Sequence, residues 1–275
     1  MVEVASAPMP SAPCEQVADV KEPIDLSQIP GPGPITGHRF SNDPDMVIWE
    51  GFISQEEAQH IMRLAEGRWK RSTVSTGKSS DLLYKPLRDG PRDDEQPDDP
   101  DRPPDADVTP DKIYVGKSQV GVEAISPNRT SFSCFLDPTM EDEIILRIAA
   151  RVATVTGVPL DNVEDLVLVR YEEGQVFKQH HDGAGRPKTV FVYLNEVAAG
   201  GETSFPHLGY KVAPSACTAV MWNNTIHSED GTELPDMRMV HEALAPGPGC
   251  IKYGMNCFVN KVAQRDCSHI AMVPV

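Results

Sequence analysis

Residues 175–183 read Gln-Val-Phe-Lys-Gln-His-His-Asp-Gly. In an extended strand, side chains two residues apart share a face. His180 and Asp182 therefore point to one side and His181 to the other. One imidazole and one carboxylate on a common face begin a ligand set for a first-row transition metal. A second imidazole would complete a two-histidine, one-carboxylate face with positions left open. The H-x-D pattern is common by chance, so its weight depends on what surrounds it. Downstream, three histidines could supply the third ligand. His207 follows Phe-Pro, His227 lies in the polar, turn-like NNTIHSEDG, and His241 lies in MRMVHEAL, which has strand character.

The chain around this stretch is a succession of short apolar runs rich in Val, Tyr, Phe and Thr: LVLVRY, QVFKQH, KTVFVYLN, GETSF, CTAVMW, MRMVHEAL and IKYGMNCFV. Gly, Asn and Pro separate them, which predicts many short strands in a sandwich or barrel. The first half is different. MVIWEGF (46–52) predicts a strand, and Ser54 with Glu57 forms an S-x-x-E capping box that opens a helix carrying Ala58, Ile61, Met62 and Ala65, ended by Gly67. Trp69 to Ser75 reads as another strand. A second helix is expected from about Thr139 to Thr156, with Ile144, Ile145, Ile148 and Val152 as its buried stripe and Gly157 as its stop. Helices first and strands second give an α+β or mainly β architecture.

Two regions lack such patterning. Residues 1–40, rich in Pro, Ala and Ser, are expected to form a flexible tail, and 266–275 a short C-terminal one. Residues 77–112 read as an acidic, mobile insertion. Between 86 and 111 there are ten acids against three arginines, so this segment carries −7 of the net −16. The folded domain is therefore expected over 41–265.

A net charge of −16 argues against nucleic acid and anionic membranes as main partners. No run of about 18 apolar residues exists to span a bilayer. The N-terminal MVEVASAPMPSAPCEQVADV has neither the basic start nor the apolar core of a secretory signal, which points to the cytoplasm, or the nucleus. The six cysteines form no C-x-x-C pair, so they read as reduced thiols rather than a zinc site. The sequence leaves the oligomeric state open.

Lys252 follows His241 by eleven residues, in the next apolar run. A buried lysine is costly without an anionic partner. It has a role if a dicarboxylate chelates the metal at one end and needs a charge-assisted partner at the other.

YEEGQVFKQHHDG (171–183), KTVFVYLNEVAAGGETSFP (188–206) and HEALAPGPGCIKYGMNCFV (241–259), with a weaker echo at Arg129-Thr130-Ser131, together resemble the prolyl 4-hydroxylase branch of the Fe(II)- and 2-oxoglutarate-dependent dioxygenases. The resemblance covers most of residues 46–262. It implies a double-stranded β-helix core of the jelly-roll or cupin kind, flanked by helices. It implies iron on His180, Asp182 and His241, with the far carboxylate of 2-oxoglutarate on Lys252, Tyr171 and Thr203. O2 would be the second co-substrate, and ascorbate a supporting reductant. Arg186, Phe258 and Phe177 become candidate substrate contacts. The implied reaction is hydroxylation of a C–H bond, of a prolyl residue in a peptide or protein first and of a free amino acid or biosynthetic intermediate second, with release of succinate and CO2. A metal-binding barrel acting as sensor or scaffold is the reading from another class; the lysine, tyrosine and threonine set argues against it. Asp182 favours hydroxylation over halogenation, because a small residue in its place would open a halide site. Three departures bear on substrate recognition: a His241–Lys252 interval one residue longer than usual, Phe258 where the family often carries tryptophan, and the acidic insertion after Trp69.

Overall fold

The computed structural model describes residues 35–76, 114–115, 122–136, 140 and 142–265. The expected mobile insertion lies wholly outside the described residues, as do most of the expected N-terminal tail and all of the C-terminal one. In chain order the elements begin with β1 (Thr36–Asn42), β2 (Asp45–Glu50), α1 (Gln55–Leu64), β3 (Lys70–Arg71), β4 (Thr73–Thr76), β5 (Tyr114–Val115), β6 (Val122–Ile125) and β7 (Phe132–Leu136). Then come α2 (Glu143–Thr156), β8 (Leu166–Tyr171), β9 (Phe177–His181), β10 (Lys188–Tyr193), β11 (Thr203–Phe205) and β12 (Tyr210–Val212). The last elements are β13 (Ala219–Asn223), β14 (Thr225–His227), β15 (Glu233–Pro235), β16 (His241–Ala243) and β17 (Lys252–Val259).

Two sheets form the core. The larger runs β1-β2-β13-β10-β17-β8-β7-β3 and the smaller β12-β11-β16-β9-β5. Apart from the β5–β9 pairing, which is parallel, the neighbours are antiparallel. This is the expected mainly β jelly roll with helices on one side.

Strand alternation divides the interior into two cores. Leu168 of β8, Val190 and Val192 of β10 and Met255 and Cys257 of β17 turn outward from the sandwich, joining Ile61 of α1 and Ile145, Ile148 and Val152 of α2. Val169 and Tyr171, Phe191 and Tyr193, and Trp222 of β13 turn the other way and pack with Phe205 of the smaller sheet. Lys252 shares the parity of Gly254 on β17, the face away from Met255 and Cys257, so the alternation that buries the helix-side core also drives a lysine between the sheets.

The helices follow their caps. The Ser54–Glu57 capping box is present in both directions, at 3.0 Å and 2.9 Å. Glu57 also binds Arg151 of α2, whose Nη1 and Nη2 each lie 3.2 Å from a carboxylate oxygen, while Nη1 donates to Phe52 O at 2.6 Å. The second helix begins at Glu143 rather than near Thr139. Asp142 sets that start by accepting from the amides of Ile144 and Ile145. Gly157 stops it in the left-handed conformation.

Other boundaries differ from expectation for reasons of pairing. β1 starts at Thr36, inside the stretch read as tail, because Thr36–Asn42 finds a partner in β2. NNTIHSEDG, expected as a loop, contributes β14 of a hairpin with β15. MRMVHEAL is not one strand. Asp236 accepts from the Arg238 amide at 3.0 Å, which favours a 3₁₀ turn at Met237–Met239 and leaves only His241–Ala243 extended. No helix among the described residues is long and apolar enough to cross a membrane.

Candidate metal centre and anion clamp

β9 and β16 pair so that His180 and His241 face each other in register, and Asp182 follows directly where β9 ends. The potential ligand atoms of these three buried side chains all lie within 4.8 Å of one another. His180 Nε2 is 4.0 Å from Asp182 Oδ1, and His241 Nε2 is 3.8 Å from Asp182 Oδ2. In each imidazole the far nitrogen is engaged by the backbone carbonyl two residues upstream: His180 Nδ1 donates to Lys178 O at 2.8 Å and His241 Nδ1 to Met239 O at 2.9 Å. Those bonds fix the tautomer that leaves Nε2 with a free lone pair.

The electrostatics suit a cation. Burial, then the neighbouring His241, hold the His180 pKa well below its usual value, so the ring is neutral. Burial works against the charged form of Asp182, but His241, His180 and the Thr189 hydrogen bond outweigh it and keep the carboxylate ionised below the usual range. Two imidazoles and one carboxylate are the donor set that non-haem ferrous iron takes, with three positions left for other ligands.

The alternatives for the third ligand fall away on geometry. His207 and His227 are exposed and outside the cluster. His181 is buried with its back to the site, as strand alternation requires. Its Nδ1 accepts from the Gly183 amide and its Nε2 lies 3.2 Å from Asp236 O.

Beyond the ligands, Lys252 is wholly buried and its Nζ has no hydrogen-bond partner among the described residues. It sits 5.0 Å from the centre of the Phe191 ring, 5.3 Å from Tyr193 and 5.5 Å from Tyr171. Burial lowers its pKa to about 7, and the charge of Glu202 only partly opposes this. An orphaned ammonium among aromatic faces could take up a carboxylate that completes its hydrogen bonds. Tyr171, opposite Lys252 in the β17–β8 ladder, and Thr203 are both buried nearby.

Tyr193, not singled out from the sequence, packs beside Lys252 as well. Its hydroxyl lies 2.8 Å from Thr203 Oγ1 and 3.1 Å from Val212 O. The phenol has one hydrogen for these two neighbours, and the threonine hydrogen is left to donate onward only when the phenol donates to Thr203 rather than to the Val212 carbonyl. The signal was in KTVFVY, whose alternation puts Thr189, Phe191 and Tyr193 on one face.

Of the three substrate candidates, Phe177 stacks on His180 with ring centres 3.5 Å apart and carries the Arg129 guanidinium 4.6 Å above it. Arg186 and Phe258 engage each other at 3.8 Å, and Arg186 also donates to both oxygens of Glu164 at 2.8 and 2.6 Å. In this conformation Arg186 is a bidentate partner of Glu164.

The fold and the site together define a double-stranded β-helix with an iron-type His-Asp-His face and a buried cation behind it. In sequence, the chain is 30% identical over 178 residues to prolyl 4-hydroxylase 2 of Arabidopsis thaliana, covering 61% of this chain and 46% of the relative. It is 28% identical over 178 residues to the probable prolyl 4-hydroxylase 7 of the same plant, covering 61% and 43%. The chain thus spans less than half the length of these curated relatives. The collagen prolyl hydroxylase of Paramecium bursaria Chlorella virus-1, solved with 2-oxoglutarate, shares the fold with a TM-score of 0.50, at 19% identity over 79% of this chain and 96% of that one. No family model matches. In sequence the chain is thus similar to plant prolyl 4-hydroxylases, and in fold to a viral collagen prolyl hydroxylase.

Proposed function

We propose that this chain is an Fe(II)- and 2-oxoglutarate-dependent dioxygenase that hydroxylates a prolyl residue in a peptide or protein. The observation that carries this reading is the unpaired Lys252 ammonium behind the His-Asp-His face. A metal-binding barrel without turnover has no use for a buried cation with nothing to bind; a 2-oxo dicarboxylate has a use for both features.

His180, Asp182 and His241 would hold the iron. Bound iron would supply the activation of O2, coupled to oxidative decarboxylation of 2-oxoglutarate. The overall balance is one C–H substrate, one O2 and one 2-oxoglutarate giving one alcohol, one succinate and one CO2. The protein supplies position and charge. Lys252 neutralises the far carboxylate, and the Tyr171 and Thr203 hydroxyls donate to it. Phe177 and Trp222 wall the two histidines with aromatic surface, which keeps water from the reacting face. The prolyl substrate follows from the relatives, which are named prolyl 4-hydroxylases.

The test is succinate formation from 2-oxoglutarate by the Fe(II)-loaded chain with ascorbate, with and without proline-rich peptides. The proposal expects peptide-stimulated succinate and hydroxyproline in equal amounts. Hydroxylation of a small metabolite independent of peptide would replace the prolyl assignment. No succinate from iron-loaded protein would overturn the enzyme reading.

A further inference from the structure

Asp182 presents two oxygens to the site, each within 4.0 Å of a histidine Nε2. If both bound the metal, one of the three positions needed by 2-oxoglutarate and O2 would be lost. A chain of buried hydrogen bonds on β10 and β13 bears on which oxygen is free.

The chain can be read without choosing any hydrogen position. The indole Nε1 of Trp222 is a donor only, and it lies 2.8 Å from the Asn224 side chain, which must present Oδ1 there. Asn224 Nδ2 then faces Arg186 O at 2.8 Å, and that carbonyl can only accept. The amide orientation is thus fixed from both ends. The same Nδ2 donates to Thr189 Oγ1 at 2.9 Å. With that lone pair taken, the Thr189 hydrogen has one acceptor in reach, Asp182 Oδ2 at 2.7 Å. Trp222, Asn224 and Thr189 are all essentially buried, so water does not compete for these bonds. Trp222 also packs edge-on against His241, 4.9 Å away.

We propose that Thr189, locked by Asn224 and Trp222, holds Asp182 Oδ2 out of the coordination sphere, so that Asp182 binds the metal through Oδ1 alone. Thr189 is a positioning residue whose hydroxyl keeps the third coordination position open. This rests on the iron-site reading above.

The experiment uses the full chain loaded with Co(II) as a redox-stable probe, in wild type, Thr189→Val and Thr189→Ser. Valine keeps the shape and removes the hydroxyl; serine keeps the hydroxyl and removes the methyl. Metal affinity is read by calorimetry, and 2-oxoglutarate chelation by the change in the visible Co(II) ligand-field bands. Thr189→Val is expected to weaken Co(II) binding roughly 10–100-fold, the usual cost of losing an outer-sphere partner. Once saturated with Co(II), it should chelate 2-oxoglutarate at least about tenfold more weakly, with serine staying close to wild type. Valine matching wild type in both measurements, or serine and valine equally impaired, overturns the inference. A wild type that takes up no Co(II) would instead overturn the metal-site reading on which it rests.

Discussion

Lys252 faces Tyr171 across the β17–β8 ladder, its Nζ 5.5 Å from the centre of that ring and without a hydrogen-bond partner among the described residues. Burial lowers its pKa to about 7, so above neutrality the free protein holds this lysine uncharged. A carboxylate arriving beside it restores the charge, and binding takes up a proton. Apparent affinity for 2-oxoglutarate in metal-loaded protein should be flat below pH 7 and weaken by about tenfold per pH unit above it. Calorimetry at pH 8 in two buffers of different ionisation enthalpy should show close to one proton taken up per ligand. Binding that is independent of pH, with no proton uptake, would remove the lysine from this role.

Folding stability should respond to the same group with its own sign. The unfolded chain binds this proton up to the usual lysine range, the folded one only below about 7. The ligand-free protein should therefore gain stability as pH rises from 7 toward 10, to the extent that this group dominates. Replacing Lys252 with Met should flatten that part of the profile in denaturant titrations.

His180→Ala would remove a proposed ligand rather than an outer partner. Its loss of metal affinity should exceed the roughly 10–100-fold expected for an outer partner. His227→Ala and His207→Ala, at exposed positions, should leave metal affinity unchanged. A measurable loss in either would reopen the choice of third ligand.

Gly254 lets the Phe191 ring lie beneath Lys252. A Cβ built at Gly254 falls within van der Waals overlap of that ring, with the nearest atom Phe191 Cζ. Gly254→Ala should therefore destabilise the fold by roughly 1–3 kcal/mol through overpacking and weaken 2-oxoglutarate binding, because the displaced ring moves into the clamp. Thermal melts and ligand titration check the two effects separately.

The Glu57–Arg151 pair joins α1 to α2 far from the site. Glu57→Ala should cost on the order of 3 kcal/mol, since it leaves a buried guanidinium short of its anion and breaks the capping box. Metal affinity should not change, and a loss of metal binding would show that the helices support the site directly.

Much of the site was legible because it obeys strand alternation. His180 and Asp182 share a face by their spacing, and the same rule, applied to KTVFVY, would have found Tyr193 and Thr189 as well. The α1 start was written in Ser54 and Glu57. What could not be read depends on distant partners. Arg186 finds Glu164 22 residues away, and Ser72, Ser131 and Ser133 form a buried hydroxyl cluster with oxygens 2.6 and 2.8 Å apart, joining segments about 60 residues apart. The 3₁₀ turn before His241 was hidden in MRMVHEAL, because its apolar residues look extended and Asp236, just upstream, redirects the backbone. The early start of β1 likewise depends on β2 being there to pair with it.

Lys252→Met separates metal binding from dicarboxylate binding at the proposed site. Wild type and variant are loaded anaerobically with Fe(II) and titrated with 2-oxoglutarate. Iron affinity should be unchanged, and 2-oxoglutarate binding should weaken by roughly two orders of magnitude or more, about 3 kcal/mol for a buried charge-assisted pair. Equal 2-oxoglutarate affinity in the two proteins, or iron lost along with it, would contradict a site that takes a metal and a dicarboxylate together.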